Sequence, residues 1–355
     1  MKILHAYCLN YNLGDHALGF GLKHVLREMF PVDLISEVNL QGQIFDRRFI
    51  EIVNSTYDLL VIGGGGIIHG SHWPNGWFWL IEESLIKEVG IPFIIASAGY
   101  NYFKDETGIT THGRRHLRET TKYARLFSVR NDGSHSRLFH DTGIDAKVVA
   151  DPGFWLAKAR PGGYQPPVGL AQPYVLLQVA NDKLSHRIGE KMGYIDLVNE
   201  LRDVVRIISK DIKVVLCPHV WADVELSRDI VKGIDNTSIW PFSTFAFDRV
   251  EEIFGYYQHA EAVLAMRGHG QILGMAFGIP TISLENHFKH RGLMEDMGLG
   301  EFNIDVRSPD LGRLASALVI DARKRRDEIR DRLDRRLDKL WVETREQYAA
   351  VLNEL

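Results

Sequence analysis

Residues 264–284 read LAMRGHGQILGMAFGIPTISL, and their pattern decides the fold. An apolar run ends at Arg267, a turn containing two glycines follows, and a second apolar run comes after GQILGMAFG. We predict that the first run is a strand, GQILGMAFG is a helix and the second run is another strand. A strand, a helix and a strand in this order form a right-handed βαβ unit with parallel strands.

The same alternation of short apolar runs and helical patterns continues along the chain. Most of the apolar runs do not alternate with polar residues, which is typical of parallel strands buried on both faces. Helices are predicted at 16–29 and 194–209, and the class is α/β with open doubly wound sheets. The predicted strands are 3–7, 59–62, 93–96, 126–129 and 148–150 in the first half, and 174–179, 213–216, 262–265 and 281–284 in the second.

A linker divides the predicted strands into two groups. Residues 161–173, PGGYQPPVGLAQP, hold four prolines and three glycines in thirteen residues, a composition typical of linkers. We therefore predict one αβα domain at 1–160 and another at 174–310. Residues 311–355 are predicted to be a helical tail, because leucines recur there among charges of both signs.

Composition excludes several classes of protein. The chain has 355 residues, of which 45% are hydrophobic and 25% charged, and its formal net charge is −4. This charge does not predict a nucleic-acid partner. The two cysteines, Cys8 and Cys217, lie in apolar runs and indicate no disulfide framework. The first residues are too short an apolar run for a secretory signal, and no run is long enough for a membrane span, so we expect a cytoplasmic protein.

Ligands of open α/β sheets bind beyond the carboxyl ends of the strands, so the residues after each strand are site candidates. The first strand is followed by NYNLGDHALGFGL, where Asn12, Gly14 and Asp15 precede a helix. Asp15 has two interpretations: it caps this helix, or it is a carboxylate that takes a proton from a hydroxyl. The spacing matches neither GxGxxG nor a P-loop, so no nucleotide fingerprint is predicted.

Glycines and aromatic residues follow the second strand. The four glycines either let a ligand approach the backbone or form a plain tight turn. The rings after them either hold a sugar or form a satellite core, and their spacing does not predict a metal site. The glycines are Gly63, Gly64, Gly65 and Gly66, and the rings are His69, His72, Trp73, Trp77 and Trp79.

Arg130 and Arg267 each end a predicted strand. An arginine at such a buried position is costly without an anion, and its guanidinium matches phosphate or carboxylate. Gly268, His269 and Gly270 follow Arg267 at the start of a predicted helix, where an anion is favoured. The alternatives are a structural ion pair for Arg130 and a capped turn with a satisfied histidine for RGHG. Further polar residues at strand ends of the second domain are Asn181, Asp182, Lys183, His219, Trp221 and Asp223.

The motifs NLGD, GGGG, SVRNDGS, ADPGF and RGHGQILGMAFGIPTISL occur in the order found in polysaccharide pyruvyl transferases. The chain resembles this family over about residues 12–300. The resemblance implies a GT-B-like fold, in which two Rossmann-like αβα domains with parallel sheets face a cleft, with 1–160 as the acceptor side and 174–310 as the donor side. It also implies transfer of the pyruvyl group of phosphoenolpyruvate onto two hydroxyls of one sugar, which gives a cyclic ketal in a polysaccharide or glycan precursor.

The resemblance assigns roles to individual residues. It implies that Arg130, Arg267 and His269, with Gly270, contact phosphoenolpyruvate, and that the residues of NLGD and GGGG face the cleft. Two departures occur: Gly268 stands where the family usually has leucine, and the arginine of SVRNDGS is followed by asparagine before the aspartate.

We expect His269 to act as an acid or to stabilise phosphate, and Asp15 to act as a base. The expected acceptor is a sugar or a glycan-lipid, met at the periphery of a membrane-bound glycan assembly. No metal and no cofactor besides the donor substrate is expected. One alternative is a GT-B glycosyltransferase that uses a nucleotide sugar, with Glu285 as the ribose carboxylate. Another is a ligand-binding relative without turnover.

Overall fold

The structure is a computed structural model that describes residues 1–9, 12–70, 73–103, 108–170, 172–190, 192–242 and 248–355. The chain forms two compact units. The first comprises Met1–Tyr11, Leu18–Trp155 and Asp338–Leu355, and the second comprises Asn12–Ala17 and Leu156–Leu337. The domain limits given by the sequence analysis stay predictions.

The first unit is built on a six-stranded parallel sheet in the order β2-β1-β4-β6-β7-β8. The order reverses between β1 and β4, which makes this the topological switch point of the sheet. A separate parallel pair is formed by β3 and β5. The strands are β1 Lys2–Tyr7, β2 Leu34–Asn39, β3 Ile44–Phe45, β4 Leu59–Ile68, β5 Leu80–Ile81, β6 Phe93–Tyr100, β7 Leu126–Val129 and β8 Lys147–Val148.

Helices connect these parallel strands, as parallel pairing requires. The helix that follows β1 begins with residues of the second unit, since Asn12–Ala17 group there. The core between sheet and helices contains fully buried side chains of β4 and β6, with two tryptophans, Trp77 and Trp79. The helices are α1 Leu13–Met29, α2 Arg47–Thr56, α3 Thr111–Tyr123 and α4 Ser134–Thr142.

The second unit contains a second six-stranded parallel sheet, in the order β11-β10-β9-β12-β13-β14. Numbered within the unit this is 3-2-1-4-5-6, the classic dinucleotide-fold order, with its switch point between β9 and β12. Its strands are β9 Tyr174–Gln178, β10 Lys213–Leu216, β11 Thr237–Ile239, β12 Ala262–Ala265, β13 Thr281–Glu285 and β14 Asn303–Asp305.

Helices again alternate with these strands, and the chain ends in a long helix. The helix after β12 begins at Gly268, directly after Arg267. Among the described residues, no helix has both the length and the apolar character needed to cross a bilayer. The helices are α5 Leu156–Ala159, α6 Leu184–Ile188, α7 Tyr194–Ile208, α8 Trp221–Val231, α9 Val250–Gln258, α10 Gly268–Ala276, α11 Phe288–Asp296, α12 Leu311–Lys324 and α13 Arg326–Leu352.

The predicted class, α/β with two Rossmann-like parallel sheets and a C-terminal helix, is confirmed. One local prediction was wrong: Gly63–Gly66 lie inside strand β4 rather than in a turn after it. Other elements pack closely on these glycines. A Cβ at Gly63, whose φ is +114°, would lie 2.4 Å from the carbonyl oxygen of Ala96, and one at Gly65 would lie 2.9 Å from Leu18. These glycines therefore let neighbouring segments of the protein approach the strand.

Candidate functional site

Arg267 lies at the switch point of the second sheet, where β12 ends and α10 begins. Its guanidinium forms a two-pronged pair with Asp223, with Nε donating to Oδ2 at 3.0 Å and Nη2 to Oδ1 at 2.6 Å. Nη2 also donates to Asp182. Burial alone would lower the pKa of Arg267, but the two carboxylates outweigh burial and raise it. The guanidinium therefore stays charged although its side chain is only 8% exposed.

Asp223 is the fixed partner of this arginine. Its carboxylate is fully buried and accepts hydrogen bonds from the backbone N–H groups of Asn181, His219 and Val220, at 3.1 to 3.2 Å. Two backbone donors just before α8 and one after β9 thus fix the Asp223 carboxylate independently of Arg267. Buried carboxylates are stable only with such partners.

Asp182 is the second partner, and it joins two arginines. Arg187 Nη2 donates to Asp182 Oδ2 at 3.1 Å, and Arg187 Nη1 donates to Asn286 Oδ1 at 2.7 Å. Burial would raise the pKa of Asp182, but Arg267 and Arg187 outweigh burial and hold it well below its ordinary range. Asp182 is therefore an ionised carboxylate between two guanidinium groups.

The NLGD motif meets the RGHG motif within the second unit. His269 Nδ1 lies 3.2 Å from Asp15 Oδ1. The approach depends on Gly14, because a Cβ there would lie 2.3 Å from the Cβ of His269. Asn12 holds the turn, since its side chain accepts a hydrogen bond from the N–H of Gly14 at 2.9 Å.

This geometry separates the two interpretations of Asp15. Asn12 makes the capping contact at the start of α1, whereas the carboxylate of Asp15 lies beside the imidazole of His269. The turn also contacts the segment between β10 and α8, because Leu13 N–H donates to the carbonyl of His219 at 3.1 Å. Gly270 packs against the strand ends, since a Cβ there would lie 3.0 Å from Ala265 and 3.1 Å from Gln178.

Arg130 forms a comparable buried centre in the first unit, directly after β7. Nε donates to Asp132 Oδ2 at 2.5 Å, and Nη1 donates to Asp151 Oδ2 at 3.3 Å. Burial alone would lower the pKa of Arg130, but Asp132 and Asp151 outweigh it and raise that pKa. Gly99 lies against the guanidinium, since a Cβ there would be 2.6 Å from its Cζ.

The aromatic segment after β4 divides into core and surface. Trp77 and Trp79 are fully buried, which favours the core interpretation for them. His69 and Trp73 are only partly buried, and both pack on Phe78, with ring centroids 4.4 Å and 4.7 Å away. His72 lies outside the described residues.

Sequence reasoning gave little weight to Asp182, Asp223 and Asp151, and it missed Gly99. A buried arginine needs carboxylate partners, so an aspartate after a neighbouring strand is the signal that could have found them. Among the described residues, no group of three histidine, cysteine or acidic side chains is placed to hold a metal ion.

The family model of polysaccharide pyruvyl transferases matches residues 12–287. The chain belongs to this family. The matched range includes NLGD, GGGG, SVRNDGS, ADPGF and RGHGQILGMAFGIPTISL, so every motif that carried the resemblance lies within it. Polysaccharide pyruvyl transferases are transferases, and a sugar or glycan acceptor fits the family. No curated protein matches the chain.

Solved structures that resemble this chain share its fold at low sequence identity. MnaA of S. aureus with UDP has 12% identity and a TM-score of 0.58, and the match covers 94% of this chain and 90% of that one. A glycosyltransferase from Rickettsia africae has 12% identity and a TM-score of 0.56, covering 99% and 98%. The UDP-GlcNAc 2-epimerase of Methanocaldococcus jannaschii has 13% identity and a TM-score of 0.53, covering 91% of each chain. At such identities the likeness concerns the fold alone.

Proposed function

We propose that the protein transfers the pyruvyl group of phosphoenolpyruvate to two hydroxyls of one sugar in a glycan, forming a cyclic ketal. The observation that carries the proposal is the arrangement at the switch point of the second sheet. A buried arginine, a helix N-terminus and a histidine–carboxylate pair occur there within the segments Asn12–Ala17 and 267–270. Together they supply anion binding and proton transfer, the two needs of this reaction.

Phosphoenolpyruvate carries a phosphate and a carboxylate, and Arg267 would bind one of them. Its Nη1 has no hydrogen-bond partner among the described residues, so two N–H donors remain for a ligand. The first-turn N–H groups of α10 lack intrahelical partners, as at every helix start, and they add a positive partial charge. Nη2 of Arg130 likewise has no partner among the described residues. On the family motif, we propose that Arg130 also contributes to binding of phosphoenolpyruvate.

His269 would deliver the proton that starts the chemistry. Addition of a proton to the methylene carbon makes it a methyl group and leaves C2 oxocarbenium-like. A sugar hydroxyl then forms a bond to C2, the bond from C2 to the phosphate oxygen breaks, and a second hydroxyl closes the ketal. One of the two hydroxyl protons balances the proton placed on carbon, and the other leaves with phosphate.

Asp15 would orient His269 and stabilise its protonated form, because its carboxylate lies beside Nδ1. This role differs from the direct base that we expected from the sequence, and it leaves Nε2 as the nitrogen that exchanges the proton. The partly buried rings of His69 and Trp73 on Phe78 would provide a stacking surface for the acceptor sugar.

One observation disfavours the nucleotide-sugar alternative. Glu285, the carboxylate considered for a ribose, accepts hydrogen bonds from Arg291 at 3.0 Å and from Asn303 at 2.6 Å. It is 5% exposed. A carboxylate engaged in this way is a structural partner within the unit rather than a ribose acceptor.

The proposal is tested by incubating the protein with phosphoenolpyruvate and a panel of glycan and glycan-lipid acceptors. We expect phosphate release that depends on the acceptor, and mass spectrometry should find one acceptor that has gained a pyruvyl ketal. Arg267→Gln is the loss-of-binding control, and Glu285→Gln should keep activity. Turnover of a nucleotide sugar without any ketal product would overturn the proposal.

A further inference from the structure

The two carboxylates that hold Arg267 differ in their freedom to leave it. Asp223 is fully buried and fixed by three backbone N–H groups. The side chain of Asp182 is 40% exposed, and it follows β9 in a short segment before α6. One partner is therefore part of the scaffold, whereas the other reaches solvent.

The charge of the cluster raises a difficulty for substrate binding. Arg267 and Arg187 contribute two positive charges, while Asp182 and Asp223 contribute two negative ones, so the four side chains sum to zero. An anion that approaches Arg267 meets a guanidinium already neutralised by carboxylates. Guanidinium groups bind anions strongly when two N–H donors on one face are available. Here Nη2 of Arg267 already donates a hydrogen bond to Asp182.

Arg187 can keep Asp182 paired when Asp182 leaves Arg267. Its Nε donates to the backbone carbonyl of Asp182 at 2.8 Å, and its Nη2 donates to both oxygens of the Asp182 carboxylate, at 3.1 and 3.3 Å. Asp182 can give up Arg267 and stay paired, so neither charge is left uncompensated in a buried place. Lys183, the next residue, has φ +50°. This left-handed backbone conformation costs energy for a residue other than glycine.

We propose that Asp182 is a placeholder carboxylate: it occupies on Arg267 the position that the anionic group of the donor substrate takes, and substrate binding replaces it. Asp223 keeps the guanidinium in position during the exchange. The inference rests on the proposed function, since it names Arg267 as a donor contact. Asp182 is a positioning residue in this scheme, and its return to Arg267 would help to expel the product phosphate.

The exchange predicts that a substitution at Asp182 increases the affinity of the site for its ligand instead of reducing it. Asp182→Asn removes the competing charge, so phosphoenolpyruvate and inorganic phosphate should bind roughly tenfold more tightly, as expected when one charge-assisted hydrogen bond no longer has to be broken. KM for phosphoenolpyruvate should fall, and kcat should fall with it because phosphate leaves more slowly. A merely structural Asp182 would give the opposite sign, a weaker site.

Isothermal titration calorimetry with phosphoenolpyruvate and with inorganic phosphate measures this directly. Asp196→Asn is the matched control, since Asp196 is an exposed aspartate of the same unit that accepts from Gly193 N–H, and its replacement should leave affinity unchanged. Asp223→Asn should weaken binding, because Arg267 loses its fixed partner. In a structure with phosphoenolpyruvate bound, Arg267 should keep Asp223 and lie beyond hydrogen-bond distance from Asp182.

The outcomes separate the two proposals. If the wild type binds phosphoenolpyruvate through Arg267 but Asp182→Asn binds no more tightly, and the complex keeps the contact between Asp182 and Arg267, this inference alone is overturned. If neither the wild type nor Asp182→Asn binds phosphoenolpyruvate or phosphate, both proposals are overturned. The bound structure decides the matter even if Asp182→Asn folds poorly.

Discussion

Arg130 in the first unit and Arg267 in the second have the same local design but differ in position and surroundings. Each follows a buried parallel strand, and each guanidinium is held by two aspartates. Arg267 lies at the switch point of its sheet, between β9 and β12, whereas Arg130 follows β7, away from the reversal between β1 and β4. The switch point is where ligands of such sheets commonly bind, and of these two arginines only Arg267 lies at the switch point of its own sheet.

The partners differ as well. Asp132 and Asp151 are both buried, and each has a second donor, from Ser134 and from Gly153 respectively. The centre around Arg130 therefore has no exposed carboxylate, whereas the centre around Arg267 has Asp182. The two arginines therefore differ in whether a partner carboxylate reaches solvent, although both guanidinium groups are buried.

The largest expected effect is a loss of kcat, and it depends on which residue stands two positions after each arginine. This residue is Asp132 after Arg130, where it binds the guanidinium, and His269 after Arg267, where it lies beside Asp15. His269→Gln should lower kcat by about 10²- to 10⁴-fold, the usual contribution of a general acid, with little change in melting temperature. Asp15→Asn should lower kcat less, because the asparagine still lies beside the imidazole but no longer carries the negative charge that stabilises its protonated form.

Steady-state kinetics with phosphoenolpyruvate and an accepted glycan measure both variants. Asp132→Asn is the comparison, and it should act on stability and on KM for phosphoenolpyruvate rather than on kcat, because Asp132 positions the guanidinium of Arg130. Equal losses of kcat in His269→Gln and Asp132→Asn, without unfolding of either, would contradict the distinction between the two centres.

The sequence predicted the central strands because they are buried on both faces and therefore continuously apolar. Strand β7 at 126–129 and strand β12 at 262–265 were predicted to the residue. Five strands were missed: the two-residue strands β3 and β5, and three edge strands of the six-stranded sheets, which are β2, whose residues LISEVN are at most partly buried, β11 and β14. An edge strand pairs on one side only, so its sequence does not carry the apolar signal of a buried strand.

The site was predictable only where one segment of chain contains it. RGHG and the helix after it could be placed as an anion site from local pattern alone. The partners of Arg267 could not, because Asp223 and Asp182 lie 44 and 85 residues away along the chain. These contacts form because β9 lies between β10 and β12 in the sheet, which brings the segments after the three strands together. A single sequence does not give that strand order.

The next largest effect concerns the stability of the two centres. Removal of one partner from a buried ion pair commonly costs about 3–5 kcal/mol, because a charge is left uncompensated. Asp151→Asn in the first unit and Asp223→Asn in the second should approach this loss. Asp182→Asn should cost less than either, because the Asp182 side chain is 40% exposed and Arg187 keeps its hydrogen bonds to Asn286 and to the backbone carbonyl of residue 182.

Urea unfolding followed by tryptophan fluorescence gives the three values. The comparison fails if Asp182→Asn destabilises the protein as much as Asp223→Asn does, since Asp182 would then be a fixed partner as well. Asp196→Asn again serves as the exposed control.

A smaller effect separates the glycines beside the two arginines. At Gly99 a Cβ would lie 2.6 Å from the guanidinium of Arg130, which two aspartates hold in place. Gly99→Ala should therefore destabilise the protein by about 1–3 kcal/mol, the usual cost of overpacking. At Gly268 the nearest atom to a Cβ is Lys289 Cε, 3.7 Å away. Gly268→Ala should be neutral or stabilise by about 0.4–1 kcal/mol, because alanine restricts the unfolded chain.

Gly268→Leu tests the departure from the family pattern, since it restores the usual leucine. Melting temperatures and KM for phosphoenolpyruvate should show that Gly268→Ala and Gly268→Leu fold and bind as the wild type does. A strong loss in Gly268→Ala would show that the glycine is needed for backbone approach to a ligand.

Both units should also show a pH dependence of stability, which arises from a buried histidine in each. Burial lowers the pKa of His5, beside the carbonyl of Gly63, to about 4, and that of His219, 2.9 Å from the hydroxyl of Tyr257, to about 3. The ordinary value is near 6.5, so below it the unfolded chain binds protons that the folded protein does not. Stability should therefore fall with falling pH, by about 1.4 kcal/mol per pH unit for each histidine, down to the folded pKa.

His5→Gln and His219→Gln should each flatten this slope, measured as the free energy of unfolding between pH 6.5 and 4. The two units should then differ in one respect. The charge of Arg267 adds to the lowering at His219, whereas no charge of the Arg130 centre acts on His5. Arg267→Gln should therefore raise the pKa of His219 and leave that of His5 unchanged. A shift of both histidines, or of neither, would mean that the field of Arg267 does not act selectively within its own unit.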